Sequence, residues 1–130
     1  MLHKILLSAA LASASFSVSA GQWHSFEHQA ADGKTRPFAL YQPDVAQGKR
    51  PLLVFLHGAV SGALRDPLAA GKRSKFVPLA DKEQFYVLFP AGEKGATWFD
   101  EVGSKMVLAQ IAQIKRDFAI DENKVFLGGF

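Results

Sequence analysis

The sequence predicts an α/β domain: an antiparallel hairpin followed by a parallel strand–helix–strand–helix–strand unit. Three observations carry this. Leu52 to Leu56, Phe85 to Phe89 and Val125 to Leu127 are short, continuous apolar runs flanked by Pro, Gly or polar turn residues. Such runs fit strands buried on both faces, as in a parallel sheet. The stretches between them hold apolar residues at helical spacing, and strands alternating with helices imply right-handed crossovers beneath covering helices. Ahead of this unit, two segments of alternating character flank an Asp-Gly turn.

The chain has 130 residues, 48% hydrophobic and 21% charged, with eleven Phe. That composition suits one globular domain with a real core and argues against disorder. The formal charge is +3. The basic residues are scattered, and the densest group, Lys72-Arg73-Ser74-Lys75, reads as a solvated loop, so no nucleic-acid partner is implied. The absence of cysteine excludes disulfides, Cys-ligated zinc and a thiol nucleophile.

Residues 1–20 read as a signal peptide. Lys4 gives the positive start, Ile5 to Leu11 the apolar stretch, and Val18-Ser19-Ala20 the small residues ahead of a cleavage site. Cleavage after Ala20 leaves Gly21 as the mature N-terminus and implies a secreted or periplasmic protein. The apolar run is too short and too broken by Ser to span about 30 Å of hydrocarbon. No later segment reads as a membrane span, and no cysteine offers a lipid anchor.

Trp23 to His28 alternates and reads as a strand; Ala31-Asp32-Gly33-Lys34 is a turn; Thr35 to Gln42 is the second strand, ended by Pro43. Asp44 to Arg50 is a polar loop. Leu52 to Leu56 is the first buried strand. Ala59 to Ser74 reads as an ordered loop, and Phe76 to Gln84 as a short helix with Phe76, Leu79 and Ala80 on one side. Phe85 to Phe89 is the second buried strand, stopped by Pro90, and Ala91 to Thr97 is a loop. From Glu101 to Phe118 the residues Val107, Ile111, Ile114 and Phe118 form one apolar stripe, with Lys105, Gln113 and Lys115 off it. Asp121-Glu122-Asn123 reads as a turn, and Val125 to Leu127 as the third buried strand. The result is one domain, residues 21–130. Its last strand ends at Gly128-Gly129-Phe130 with no helix to cover it, which points to an incomplete domain.

Two places are suited to chemistry. His57-Gly58 follows a buried strand directly, and open α/β sheets bind ligands beyond the carboxyl ends of their strands. A Gly there lets the chain turn so that the next N–H, that of Ala59, points at an oxyanion developing during acyl transfer. His57 is expected to shape that loop by hydrogen bonding rather than to act as general base; an ordinary tight turn is the plain alternative. The second place is Val125-Phe126-Leu127-Gly128-Gly129-Phe130. It has the shape of a strand entering a Gly-x-Ser-x-Gly nucleophile elbow, with Gly129 as the first Gly and Phe130 as x. A phosphate-binding turn would fit the hexapeptide equally well.

The order and spacing of several segments carry a resemblance. They are Arg36, Phe38, Leu40, Tyr41 and Pro43; Pro51 through Gly58; Leu79-Ala80-Asp81; Phe85 through Pro90; Trp98 through Gly103; Ile120-Asp121; and Lys124 through Phe130. Over nearly all of the mature chain the sequence resembles the secreted α/β-hydrolase esterases that include polyhydroxybutyrate depolymerases and feruloyl esterases. The resemblance implies the N-terminal part of an α/β-hydrolase fold and a serine hydrolase of carboxylic esters, simple or polymeric, that needs no cofactor. It also implies that Ser, Asp or Glu, and His follow in that order from the elbow onward, after Phe130. The chain departs from the family in having no cysteine after His57-Gly58 and a short stretch between Pro90 and Asp100, a region that often helps define the substrate cleft.

A non-catalytic exported binding domain on the same fold is the alternative, and a nucleotide-binding domain a third reading that export disfavours. His24 and His28 lie four apart but on a strand, without a third ligand, and read as exposed strand residues. Asp100-Glu101 suit the N-terminus of the long helix. Trp98 suits either a cleft wall or packing. Ser61 and Ser104 lie outside any elbow context.

Overall fold

A computed structural model describes residues 21–44, 47–58, 66–92, 98 and 100–129. The signal-peptide reading, Ala59, Ser61 and Phe130 lie outside these described residues. The elements are β1 (Gln22–Gln29), β2 (Thr35–Gln42), β3 (Arg50–Leu56), α1 (Pro67–Lys72), α2 (Phe76–Glu83), β4 (Tyr86–Pro90), α3 (Glu101–Asp117) and β5 (Ile120–Gly129). The sheet runs β1-β2-β4-β3-β5. The β1/β2 pairing is antiparallel and the β4/β3 and β3/β5 pairings are parallel, as the sequence predicts; β2 also pairs antiparallel with β4.

The hairpin is set by its turn. Gly33 has φ of 82°, a left-handed conformation that glycine adopts without a Cβ penalty. Asp32 anchors the turn twice. Its Oδ1 accepts from the Lys34 N–H at 3.1 Å, and its two oxygens take the Arg36 guanidinium at 3.0 and 2.8 Å. Arg36 is buried, so this pairing decides whether its charge is tolerated. The Arg36 bonds hold the Asp32 carboxyl down at about 2, against an ordinary 3.8. A carboxyl lowered in the folded state adds stability that is present above the unfolded value and is lost as pH falls through the folded one. Asp32→Asn is therefore expected to lower Tm at neutral pH, with a gap to wild type that narrows below about pH 4 and closes near pH 2. Thermal melts of the frame extended past Phe130, across that range, check it.

The alternation of β2, β3 and β4 feeds two cores. Phe38, Leu40, Leu52, Val54, Tyr86 and Leu88 point to one face and meet Met106, Val107 and Ile114 of α3. Ala39, Tyr41, Val87 and Phe89 point to the other, with Ala80 of α2 and, around them, Trp23, Leu53, Phe55 and Leu68. Burying β3 and β4 on both faces is what makes their sequences continuously apolar. Helix α3 starts at Asp100, whose carboxylate accepts from the Gly103 N–H at 2.7 Å, with Glu101 in its first turn and Lys115 and Arg116 in its last. These charges complement the helix dipole, as the sequence suggests. Gln110 sits fully buried on the core side of α3, and neither atom of its amide finds a hydrogen bond among the described residues.

Four expectations change. Residues 67–72, read as loop, form α1. Asp66 caps it by accepting from the Leu68 and Ala69 N–H groups, and Pro67 starts it. Six residues are too few for a visible period, so only the Asp-Pro pair announces the helix. In α2, Leu79 is 43% exposed, and Val77 joins Phe76 and Ala80 in facing the sheet. Asp121-Glu122-Asn123 lies within β5 as an excursion. Ile120 pairs with Arg50 and Val125 with Leu52, and the Asp121 carboxylate accepts from the Asn123 N–H at 3.1 Å. The turn chemistry is present, but the strand resumes after it. Finally, Val125 to Leu127 is apolar but not a fully buried run: Val125 is half-buried against the α3-side core, and the two residues after it face water. β5 lies at the sheet edge, with Phe126 58% and Leu127 68% exposed, because β3 flanks it on one side and no described strand lies on the other.

Candidate functional site

The carboxyl ends of β3 and β5 lie side by side. The parallel register pairs Phe55 with Gly128 and Leu56 with Gly129. His57-Gly58 and Gly129 therefore lie at the ends of neighbouring strands at one level. Sequence alone does not give this adjacency, because strand order in a sheet is a tertiary outcome.

Gly129 is required by that proximity. A Cβ there would come within 2.7 Å of the Leu56 carbonyl oxygen. At Gly128 the nearest atom would be the Leu53 Cδ1 at 3.5 Å, an ordinary contact. The close backbone approach of β5 to β3 thus falls on Gly129.

His57 is held at both ring nitrogens. Nε2 accepts from the Gly92 N–H at 2.8 Å, which fixes the proton on Nδ1, and Nδ1 donates to the Gly58 carbonyl at 2.7 Å. The Trp98 indole N–H donates to the His57 carbonyl at 3.0 Å, and the two rings meet edge to face at 5.0 Å. A Cβ on Gly92 would crowd the Trp98 ring at 3.2 Å. The loop after β3 is thus fastened to the loop after β4 by His57, Gly92 and Trp98. Both ring nitrogens are thus engaged within the fold. Trp98 packs and also holds the loop. Gly92 is the residue that sequence reasoning missed; its position just after Pro90, at a strand end, was the available signal.

His57→Ala is expected to strand the Gly92 N–H and the Gly58 carbonyl. Stability should fall by about 1–3 kcal/mol, the usual cost of orphaned buried polar groups. Denaturant unfolding of the protein measures this.

His24 and His28, expected to be exposed, are not fully so, because their strand packs beside the core. His24 and His28 are half-buried on β1, and the His24 Nε2 bonds the Gln42 side chain at 2.9 Å while its ring meets Phe118. Among the described residues no three His, Cys, Asp or Glu side chains gather as metal ligands, and no helix is long and apolar enough to cross a membrane. The Ser104 hydroxyl donates back to the Asp100 carbonyl at 2.8 Å, inside α3. A cavity of about 210 Å³ opens beside His57, floored by Phe55, Phe89 and Pro90 and rimmed by Arg73 and Ser74.

The architecture is shared with solved enzymes. A fluorophosphonate-binding serine hydrolase of Staphylococcus aureus superposes with a TM-score of 0.67 at 14% identity, over 85% of this chain and 48% of that one. A poly(3-hydroxybutyrate) depolymerase of Bordetella parapertussis gives 0.62 at 18% identity, over 83% and 42%. The chain has an α/β-hydrolase fold. In sequence, this α/β-hydrolase chain is 32% identical over 107 residues to a bifunctional acetylxylan esterase/xylanase of Neocallimastix patriciarum. That alignment takes 80% of this chain and 15% of the relative. The α/β-hydrolase fold expected from sequence is thus shared with these enzymes. The chain spans less than half of each of these proteins. No protein-family model matches it.

Proposed function

We propose that this chain is the oxyanion-side portion of an exported serine hydrolase of carboxylic esters. The observation that carries the reading is the registered adjacency of Leu56 and Gly129, which sets the His57-Gly58 turn beside the strand entering the elbow. In this reading Ser follows Phe130, and its hydroxyl attacks the acyl carbon of the ester. A later His takes the proton and returns it to the leaving alcohol; water then releases the acid by the reverse path. The Ala59 N–H, with the N–H of the residue after the nucleophile, holds the oxyanion. His57, Gly92 and Trp98 hold the His57-Gly58 turn that precedes Ala59, and preorganised donors need no rearrangement as charge develops. Esters carried on polymers are the favoured substrate class. The support is the acetylxylan esterase relative together with the depolymerase neighbour.

The coding sequence after Phe130 tests this directly. Ser-x-Gly supports the hydrolase. Another residue at the Ser position makes the domain a non-catalytic binding module, and a Gly-rich run with Lys makes it a phosphate binder. Export is tested by sequencing the N-terminus of protein recovered from the periplasm or medium. Gly21 is the expected first residue, and an intact Met1 on exported protein contradicts the signal-peptide reading.

A further inference from the structure

The start of β1 is tied into the fold through one hydroxyl. The Gly21 nitrogen donates to the Tyr41 hydroxyl at 3.0 Å. That hydroxyl in turn reaches both oxygens of Asp81, at 2.8 and 2.7 Å. Asp81 lies on α2 and also accepts from the Asp44 N–H at 3.3 Å. Tyr41 is buried, and the Trp23 ring stands edge-on to it at 5.0 Å. A side chain at position 21 would run into the Tyr41 ring and the Gln42 carbonyl, so only glycine fits. The residue immediately after the expected cleavage site is therefore the one whose lack of a side chain the fold demands.

We propose that removal of the leader creates an ammonium at Gly21 that docks in a socket formed by the Tyr41 hydroxyl and the Asp81 carboxylate, so that processing fastens β1 to α2. The proposal rests on the export reading. Hydrolysis of the Ala20–Gly21 bond consumes one water, leaving a carboxylate on Ala20 and an amine on Gly21 that takes up a proton. In the precursor, the Gly21 nitrogen is an amide with a single N–H. In the mature chain it carries three donors and a positive charge, and charge-assisted bonds are about twice as strong as neutral ones.

The socket has the polarity this needs. Burial, then the bond to Asp81, pushes the Tyr41 phenol up to about 12. It therefore stays protonated, directs its own proton to Asp81 and leaves its lone pairs for Gly21. The ionisable groups nearby are Tyr41, Asp81 and Asp44, none of them cationic at neutral pH. Processing would thus strengthen a tie that the Gly21 amide already makes.

The test uses the protein expressed with its frame extended past Phe130 and recovered from the host after export. N-terminal sequencing comes first, followed by mass-spectrometric labelling of the α-amine in the folded and urea-unfolded protein at one pH. The expected result is Gly21 as first residue, with an amine that labels several-fold more slowly when folded and loses that protection in Tyr41→Phe. Selective acetylation of the α-amine is expected to lower Tm by about 2–8 °C, a shift of the size one charge-assisted bond gives. In Asp81→Asn that shift should vanish. A first residue other than Gly21 overturns the export reading and the socket together. Gly21 with equal labelling in both states, or an acetylation shift equal in wild type and Asp81→Asn, overturns the socket alone. If both variants fail to fold, the wild-type labelling comparison decides by itself.

Discussion

A chain that ends at Phe130 is expected to hydrolyse p-nitrophenyl esters no faster than buffer and to take up no fluorophosphonate probe. The same frame carried through Ser-x-Gly and the later acid and His should do both. Losing the nucleophile or the base of such a triad costs about six orders of magnitude in rate, and the oxyanion donors alone recover only a small part of it. Nothing among the described residues supplies a substitute. The Ser104 hydroxyl is committed to the Asp100 carbonyl, and both His57 nitrogens are taken by Gly92 and Gly58. An ester assay paired with a labelling gel reads both outcomes. Stoichiometric labelling of Ser61 or Ser104 in the 130-residue chain would place the chemistry elsewhere and remove the elbow from the argument.

Much of this arrangement was legible because local chemistry and the global fold agree. The hairpin could be read from Asp32-Gly33 and the alternation around it, since the turn needs a left-handed glycine and the Asp32 carboxylate serves both Lys34 and Arg36. β3 and β4 could be read from unbroken apolar runs, since both faces are covered. The same logic misled at β5, where apolar character marks surface that the described elements leave open. Helix α1 escaped because one and a half turns carry no period, and its cap is the whole of its signature. At the site, His57-Gly58 and Gly129 were legible as residue types. Their adjacency was not, because register between β3 and β5 depends on the sheet order. The Gly92 and Trp98 contacts on His57 lie 35 and 41 residues along the chain, a separation no local pattern spans.

The second large effect concerns association. The 130-residue chain produced alone is expected to self-associate, bind apolar dyes strongly and melt without one sharp transition. Phe126 and Leu127 lie exposed on the edge strand, and Leu108 of α3 is 66% exposed. Between them runs an apolar cavity of about 310 Å³ lined by Val54, Leu56, Val107, Ile111 and Val125. Burying a Phe or a Leu contributes about 1.5–3 kcal/mol each, against a typical domain stability of about 5–15 kcal/mol, so leaving both in water removes a sizeable share. The far edge of β5 also presents backbone N–H and C=O groups with no strand beside them in the sheet. An apolar edge of this kind templates pairing with another chain. Phe126→Ser with Leu127→Lys should therefore reduce association without restoring a cooperative melt, because the substitutions remove the sticky surface but supply no missing burial. Extending the frame past Phe130 should do both. Sedimentation velocity and calorimetry distinguish these cases, and a monomeric 130-residue chain with one sharp transition would mean that β5 is a tolerated edge and that the two described cores suffice by themselves.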